Sequence, residues 1–226
     1  RIKKMNEETL RINEIFYSIQ GESTWAGLPC TFVRLQGCPL RCHYCDSSYA
    51  FRNGEQMLIS EIIRRVDSFS TSLVELTGGE PLAQHRVHIL IDKLLEKGYT
   101  ILLETSGERQ LSTCDPRIYR VIDIKTPSSG APHSFLEENY EQLSVRDELK
   151  FVILNYSDFE WAVQLVTHKS LFKKVKDIHL SPVMYQDSNQ EIEGCSALDP
   201  EQLASWILEC GLPFRMQLQL HKYIWS

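Results

Sequence analysis

Thr31-Phe32-Val33-Arg34-Leu35 runs without a break into Gln36-Gly37-Cys38-Pro39-Leu40-Arg41-Cys42-His43-Tyr44-Cys45-Asp46. The first five residues read as a core strand, because β-branched and aromatic side chains fit a pleated, buried surface. The rest cannot extend it. Gly37 and Pro39 interrupt the ladder, and three thiols then crowd into eight positions on what must be a loop at the strand's carboxyl end. In a parallel sheet, that is the end where ligands gather.

Outward from this point the same pattern repeats. Strand-like runs lie at 31–35, 73–77, 100–104, 119–125, 149–154, 177–180 and 215–220. Between several of them sit helical patterns. Ile59, Ile62, Ile63 and Val66 repeat at helical spacing, as do Val87, Leu90, Ile91, Leu94 and Leu95, with Gly98 placed to end the second run. Ser157 with Glu160 reads as a capping box, and Asp199-Pro200 as a helix start closed later by Cys210-Gly211. Alternation of this kind predicts an α/β chain whose parallel strands are coated by helices, and seven strands make an incomplete barrel. No repeat, low-complexity tract or long linker divides residues 1–226, which are expected to form a single domain.

A net charge of −6 over 226 residues argues against a protein built to grip nucleic acid directly, since phosphate binding leaves a basic stripe. Lys173, Lys174 and Lys176 read as a solvated surface. No stretch reaches the roughly 20 apolar residues a membrane helix requires, and residues 1–11 are charged rather than signal-like. A soluble, cytoplasmic protein is expected. Cys30, Cys114, Cys195 and Cys210 are scattered, which is no disulfide framework and suits reduced thiols.

Three thiolates can hold three irons of a cubane and leave the fourth open to a substrate or cofactor group. The competing reading is zinc on Cys42 and Cys45, which wants a second pair at similar spacing. The scattered cysteines supply none, and His43, between two ligand positions, converges poorly. Further on, Thr77-Gly78-Gly79-Glu80-Pro81 ends a strand with two glycines that let backbone approach a ligand, and with a Glu able to accept from an ammonium group. Read blandly, it is a tight turn with a solvated carboxylate. Glu104-Thr105-Ser106-Gly107 and Asp123-Ile124-Lys125 end the next two strands.

Cys38-x-x-x-Cys42-x-Tyr44-Cys45, with the Gly-Gly-Glu-Pro segment, resembles the radical S-adenosylmethionine superfamily. The resemblance implies a partial TIM-like barrel with a 4Fe-4S cluster on Cys38, Cys42 and Cys45. The open iron would chelate S-adenosylmethionine, whose reductive cleavage gives a 5′-deoxyadenosyl radical. No catalytic residue beyond the cluster and that radical is implied. Tyr44, Cys45, Asp46, Gly79, Glu80, Asp123, Ile124 and Lys125 would contact S-adenosylmethionine.

Ile15-Phe16-Tyr17-Ser18-Ile19-Gln20-Gly21-Glu22, Gly27-x-Pro29, Phe32-Val33-Arg34 and His221-Lys222-Tyr223 resemble one family in particular, the 7-carboxy-7-deazaguanine synthases. These convert 6-carboxy-5,6,7,8-tetrahydropterin to 7-carboxy-7-deazaguanine with loss of ammonia, on the route to queuosine. By position, Ile19, Gln20, Gly21, Glu22, Thr77 and His221 would meet the pterin, with Glu22 on its guanidine-like edge. Arg34 would hold the carboxylate with its planar fork. Ser47 would take magnesium where the family usually has Thr, and Ser23 stands where the family often has Gly. A flavodoxin-type reductant and a homodimer are expected from the family. The alternatives are a glycyl-radical-enzyme activase and a non-enzymatic metal-binding or electron-transfer module.

Overall fold

The computed structural model describes residues 8–225; residues 1–7 of the charged start, and Ser226, lie outside them. Its elements are β1 (Thr9–Ile19), β2 (Pro29–Leu35), β3 (Glu55–Leu58), α1 (Ile59–Asp67), β4 (Leu73–Gly78), α2 (Val87–Glu96), β5 (Thr100–Thr105), β6 (Tyr119–Asp123), β7 (Glu148–Ile153), α3 (Tyr156–His168), β8 (Asp177–Pro182), α4 (Pro200–Cys210), β9 (Arg215–Met216) and α5 (His221–Ile224). They form one open sheet in the order β3-β1-β2-β4-β5-β6-β7-β8-β9. From β2 to β9 every neighbouring pair is parallel. All seven expected strands are present, β6 ending at Asp123 and β9 shrunk to two residues.

The strands the sequence reading missed are β1 and β3. Both are antiparallel, β1 pairing with β2 on one side and β3 on the other. Their residues are mostly half-buried or exposed, so the apolar runs that mark central strands are absent. The cap of α3 is also corrected. Asn155, not Ser157, is the N-cap, and its side chain accepts from Asp158 N at 3.0 Å, so the helix starts earlier than the capping box implied. Asp199 caps α4 as expected, and Gly211 ends it at φ +65°.

Side chains alternate across each parallel strand, and the two faces have different jobs. Outward, Val33, Leu35, Val74, Leu76, Leu103, Ile122, Phe151 and Leu180 pack with Ile62, Leu90, Leu94, Phe159 and Leu203 of the helices. Each such burial contributes about 1.5–3 kcal/mol. Inward, Cys30, Phe32, Leu73 and Leu102, with Phe16, Trp25 and Tyr119 against them, plug the amino end of the curled sheet. The next inward positions toward the carboxyl ends are Arg34, Glu75, Thr77, Glu104, Asp123 and Lys150, and a cavity opens there. No helix among the described residues is long and apolar enough to cross a membrane.

Candidate active site

The cavity measures about 550 Å³, and Cys38, Cys42 and Cys45 line one wall. Backbone contacts hold the cysteine loop against β4: Gly79 N donates to Leu35 O at 3.3 Å and Glu80 N to Gly37 O at 2.8 Å. A Cβ on Gly79 would lie 2.1 Å from Gly37 O, so only glycine permits that approach. From the other side, His43 N donates to Ser129 O at 2.9 Å. The seven cysteines are free thiols, and burial raises the pKa of the three in the loop, that of Cys38 to about 11. The Lys125 ammonium opposes that rise at each of them.

Among the described residues no three His, Cys, Asp or Glu side chains converge on a single-ion site. His43 does not join the thiols. Its ring packs over Gly130, with Nε2 3.6 Å from Glu193. A cubane makes a different demand from zinc, because each thiolate takes its own iron and the sulfurs stand apart around a shared volume. Three cavity-facing thiols, unpaired with one another and beside a fixed cation, fit that demand.

Around the thiols the wall is polar. Tyr44 is buried, its hydroxyl 3.2 Å from Thr126 Oγ1. Asp123 Oδ2 accepts from Lys125 Nζ at 2.7 Å, while its Oδ1 is buried without a partner among the described residues. An orphaned buried acceptor of this kind fits a ligand that brings a hydroxyl or amine. Partial burial would raise the pKa of Asp46 on the rim, but Lys222 at 3.4 Å and Gln219 at 2.9 Å hold it down at about 2.

The same cavity also carries a network of buried charge. Lys150 Nζ donates to Glu22 Oε2 at 2.5 Å and to Glu104 Oε1 at 3.1 Å, and lies 4.0 Å from Asp123. Burial alone would lower the pKa of this lysine, but the three carboxylates raise it well above its ordinary value. Glu22 Oε1 also accepts from Gln219 at 2.7 Å. Arg34 is anchored through Nε to Glu14 at 2.7 Å and lies 5.6 Å from the Tyr49 ring centroid, itself hydrogen-bonded to Glu14.

The Radical SAM superfamily model matches residues 32–123, from β2 to the end of β6. Over 220 residues the chain is 42% identical to a 7-carboxy-7-deazaguanine synthase of Koribacter versatilis, covering 96% of this chain and 97% of that one. A 7-carboxy-7-deazaguanine synthase of Chlorobaculum tepidum is 43% identical over 223 residues, 97% and 96% of the two chains. The chain belongs to the 7-carboxy-7-deazaguanine synthase family. Its fold matches the crystal structure of QueE from Escherichia coli with a TM-score of 0.73 at 22% identity, over 94% of this chain and 95% of that one. Membership makes it a radical S-adenosylmethionine enzyme with a partial barrel, a superfamily whose cofactors are a 4Fe-4S cluster and S-adenosylmethionine. It leaves the activase and electron-transfer alternatives without support.

Within this family frame most expected site residues share the one cavity: the substrate candidates Ile19, Gln20, Glu22, Arg34, Thr77 and His221, and the cofactor candidates Tyr44, Cys45, Asp46, Ser47, Gly79, Asp123 and Lys125. Three do not line it. Glu80 is 1% exposed, and its carboxylate accepts from Leu82 N, Thr105 Oγ1, Ser106 N and Ser106 Oγ, so it braces the turn behind the wall. Ile124 packs in the outer core. Gly21 gives its surface to His221, whose Nδ1 would lie 2.2 Å from a Cβ there. The loop at Ser23, in doubt for want of glycine, adopts the left-handed conformation at φ +63° that glycine favours, held by Gln217 Oε1 on its N–H. Sequence reading missed Glu75, Lys150, Gln219, Glu14 and Tyr49. The available signal was a charge at an inward position of an apolar strand, as with Glu75 in Leu73–Gly78 and Lys150 in Glu148–Ile153.

Proposed function

We propose that this chain is a 7-carboxy-7-deazaguanine synthase, converting 6-carboxy-5,6,7,8-tetrahydropterin to 7-carboxy-7-deazaguanine with loss of ammonia. The observation that carries the reading is one cavity lined by three thiols together with an anchored guanidinium and a buried carboxylate set. Cys38, Cys42 and Cys45 would hold the 4Fe-4S cluster. Tyr44, Asp46, Gly79, Asp123 and Lys125 would hold S-adenosylmethionine. Together these groups supply, when bound, a radical that takes a hydrogen from the substrate.

The chain's own side chains bind and orient. Arg34, fixed through Nε by Glu14, offers its remaining N–H groups to the substrate carboxylate. Glu22, locked by Lys150 and Gln219, presents acceptor oxygens to the amine-rich edge of the pterin. Ser47 Oγ, 3.8 Å from Cys45 Sγ on the cavity wall, is the candidate magnesium ligand. Magnesium prefers oxygen donors and keeps several waters, so one hydroxyl with substrate oxygens suffices. A flavodoxin-type reductant, a homodimer, a single core domain over residues 1–226 and a cytoplasmic setting complete the proposal on the strength of the family resemblance.

The test is an anaerobic assay of cluster-reconstituted protein with dithionite, S-adenosylmethionine, magnesium and the carboxytetrahydropterin, following product by mass. Product that vanishes in C42A is the expected result. Slow 5′-deoxyadenosine without product would keep the radical chemistry and overturn the substrate.

A further inference from the structure

Glu75, 5% exposed at the middle of β4, is a buried carboxyl on the cavity lining. Gln20, itself 4% exposed, donates its amide N–H to Glu75 Oε2. The orientation of that amide is fixed, because its Oε1 accepts from Glu22 N at 3.2 Å. Glu75 lines the cavity, and among the described residues Oε1 makes no hydrogen bond. One oxygen is therefore an acceptor committed to the protein, and the other faces the ligand space.

Burial, with the Glu104 carboxylate beside it, raises the pKa of Glu75 to about 8. The groups that face it are Glu104 on β5, Glu22 and Gln20 on the loop after β1, and Arg34 and Cys30 on β2. Lys150 on β7 pairs with Glu104 and Glu22 instead, which holds Glu104 below its ordinary value and leaves the proton with Glu75. With Oε2 occupied as an acceptor, the proton belongs on Oε1 and points into the cavity. Beside the Glu22 and Glu104 carboxylates, Glu75 thus offers a donor.

We infer that Glu75 is a specificity-determining residue that donates a hydrogen bond from its carboxylic acid to the ring carbonyl of the bound heterocycle. The assignment rests on the pterin reading above, since a pterin carries one such oxo group beside its amino group. Glu22 and Glu104 would accept from ring N–H and amino groups, and Glu75 would distinguish the oxo position from an amino group there. A site built to pair a polar group rejects the analogue that leaves it unpaired.

The experiment compares wild type, E75Q and E75A in the anaerobic assay, with iron content and thermal unfolding measured on each. A glutamine keeps both polarities, accepting from Gln20 and donating into the cavity. E75Q is expected to hold KM within about threefold of wild type, whereas E75A raises it about 10- to 100-fold with iron content unchanged. Wild-type kcat/KM should fall as pH rises through about 8, and E75Q should lose that limb. Exchanging the oxo group of the substrate for an amino group should penalise wild type and not E75A. An unchanged KM in E75A, or a pH limb retained in E75Q, overturns the assignment. If E75A loses iron or fails to fold, E75Q decides alone through its pH profile. Wild type that forms no product at all overturns the pterin reading first, and the role of Glu75 with it.

Discussion

At Gly79 the fold leaves no room for a methyl group. A Cβ there meets Gly37 O at 2.1 Å and Cys38 Cβ at 2.9 Å, and neither neighbour is a flexible side-chain end. G79A is therefore expected to push the cysteine loop away from β4 and lower iron incorporation well below one cluster per chain, while far-UV circular dichroism stays close to wild type. Iron and sulfide analysis after reconstitution checks it, and full cluster content would refute the role. The cysteines and glycines were legible in the sequence because their chemistry is carried by residue type and spacing. Glu75 and Lys150 were not, because their neighbours Val74, Leu76, Leu149 and Phe151 make the strands read as plain core. Glu80 was legible as a site residue but not in its direction, since four hydrogen bonds turn it inward.

Elements are positioned by polar anchors that periodicity does not reveal. Asn155 caps α3 through Asp158 N, and Asp158 in turn accepts from Ser128 N and Leu154 N. N155A should cost about 1 kcal/mol of stability, as lost N-caps do, and S157A should be near neutral. Urea unfolding of the two variants separates the observed cap from the one the spacing suggested. Arg120 on β6 makes a two-point pair with Asp147 at 2.7 and 2.6 Å and also donates to Leu111 O and Gln142 O. This clamp secures the two crossovers that contain no α-helix, β5 to β6 and β6 to β7. R120A leaves Asp147, 1% exposed, without its countercharge, and about 3–5 kcal/mol of destabilisation is expected. KM should be unchanged because the pair lies outside the cavity. The helical elements were legible from apolar periodicity, whereas β1 was hidden because an edge-like, half-exposed strand has no such period.

On the scale of the whole molecule, an open sheet has to be finished by something other than a ladder. The inward face runs from β1 around to β9, and the chain after β9 bridges back to the loop after β1. Leu220 N donates to Gly21 O at 3.0 Å, Lys222 lies 3.4 Å from Asp46, and Trp225 Nε1 donates to Ser18 Oγ at 3.1 Å. His221, Lys222 and Trp225 thereby become part of the cavity wall, although α5 itself buries none of its residues. Removing residues 220–226 should cost little global stability, because residues 220–225 are mostly exposed, and should leave the cysteine loop and its iron content intact. It should, however, admit water to the cavity and free Asp46 from Lys222. The expected outcome is a KM for the carboxytetrahydropterin raised about tenfold or more, with more 5′-deoxyadenosine released per product, since an active site open to water loses its reactive species to side reactions. A K222A chain of full length should show the same uncoupling more weakly. Equal coupling in the truncated and full-length chains would mean that the bridge closes the sheet without guarding the chemistry.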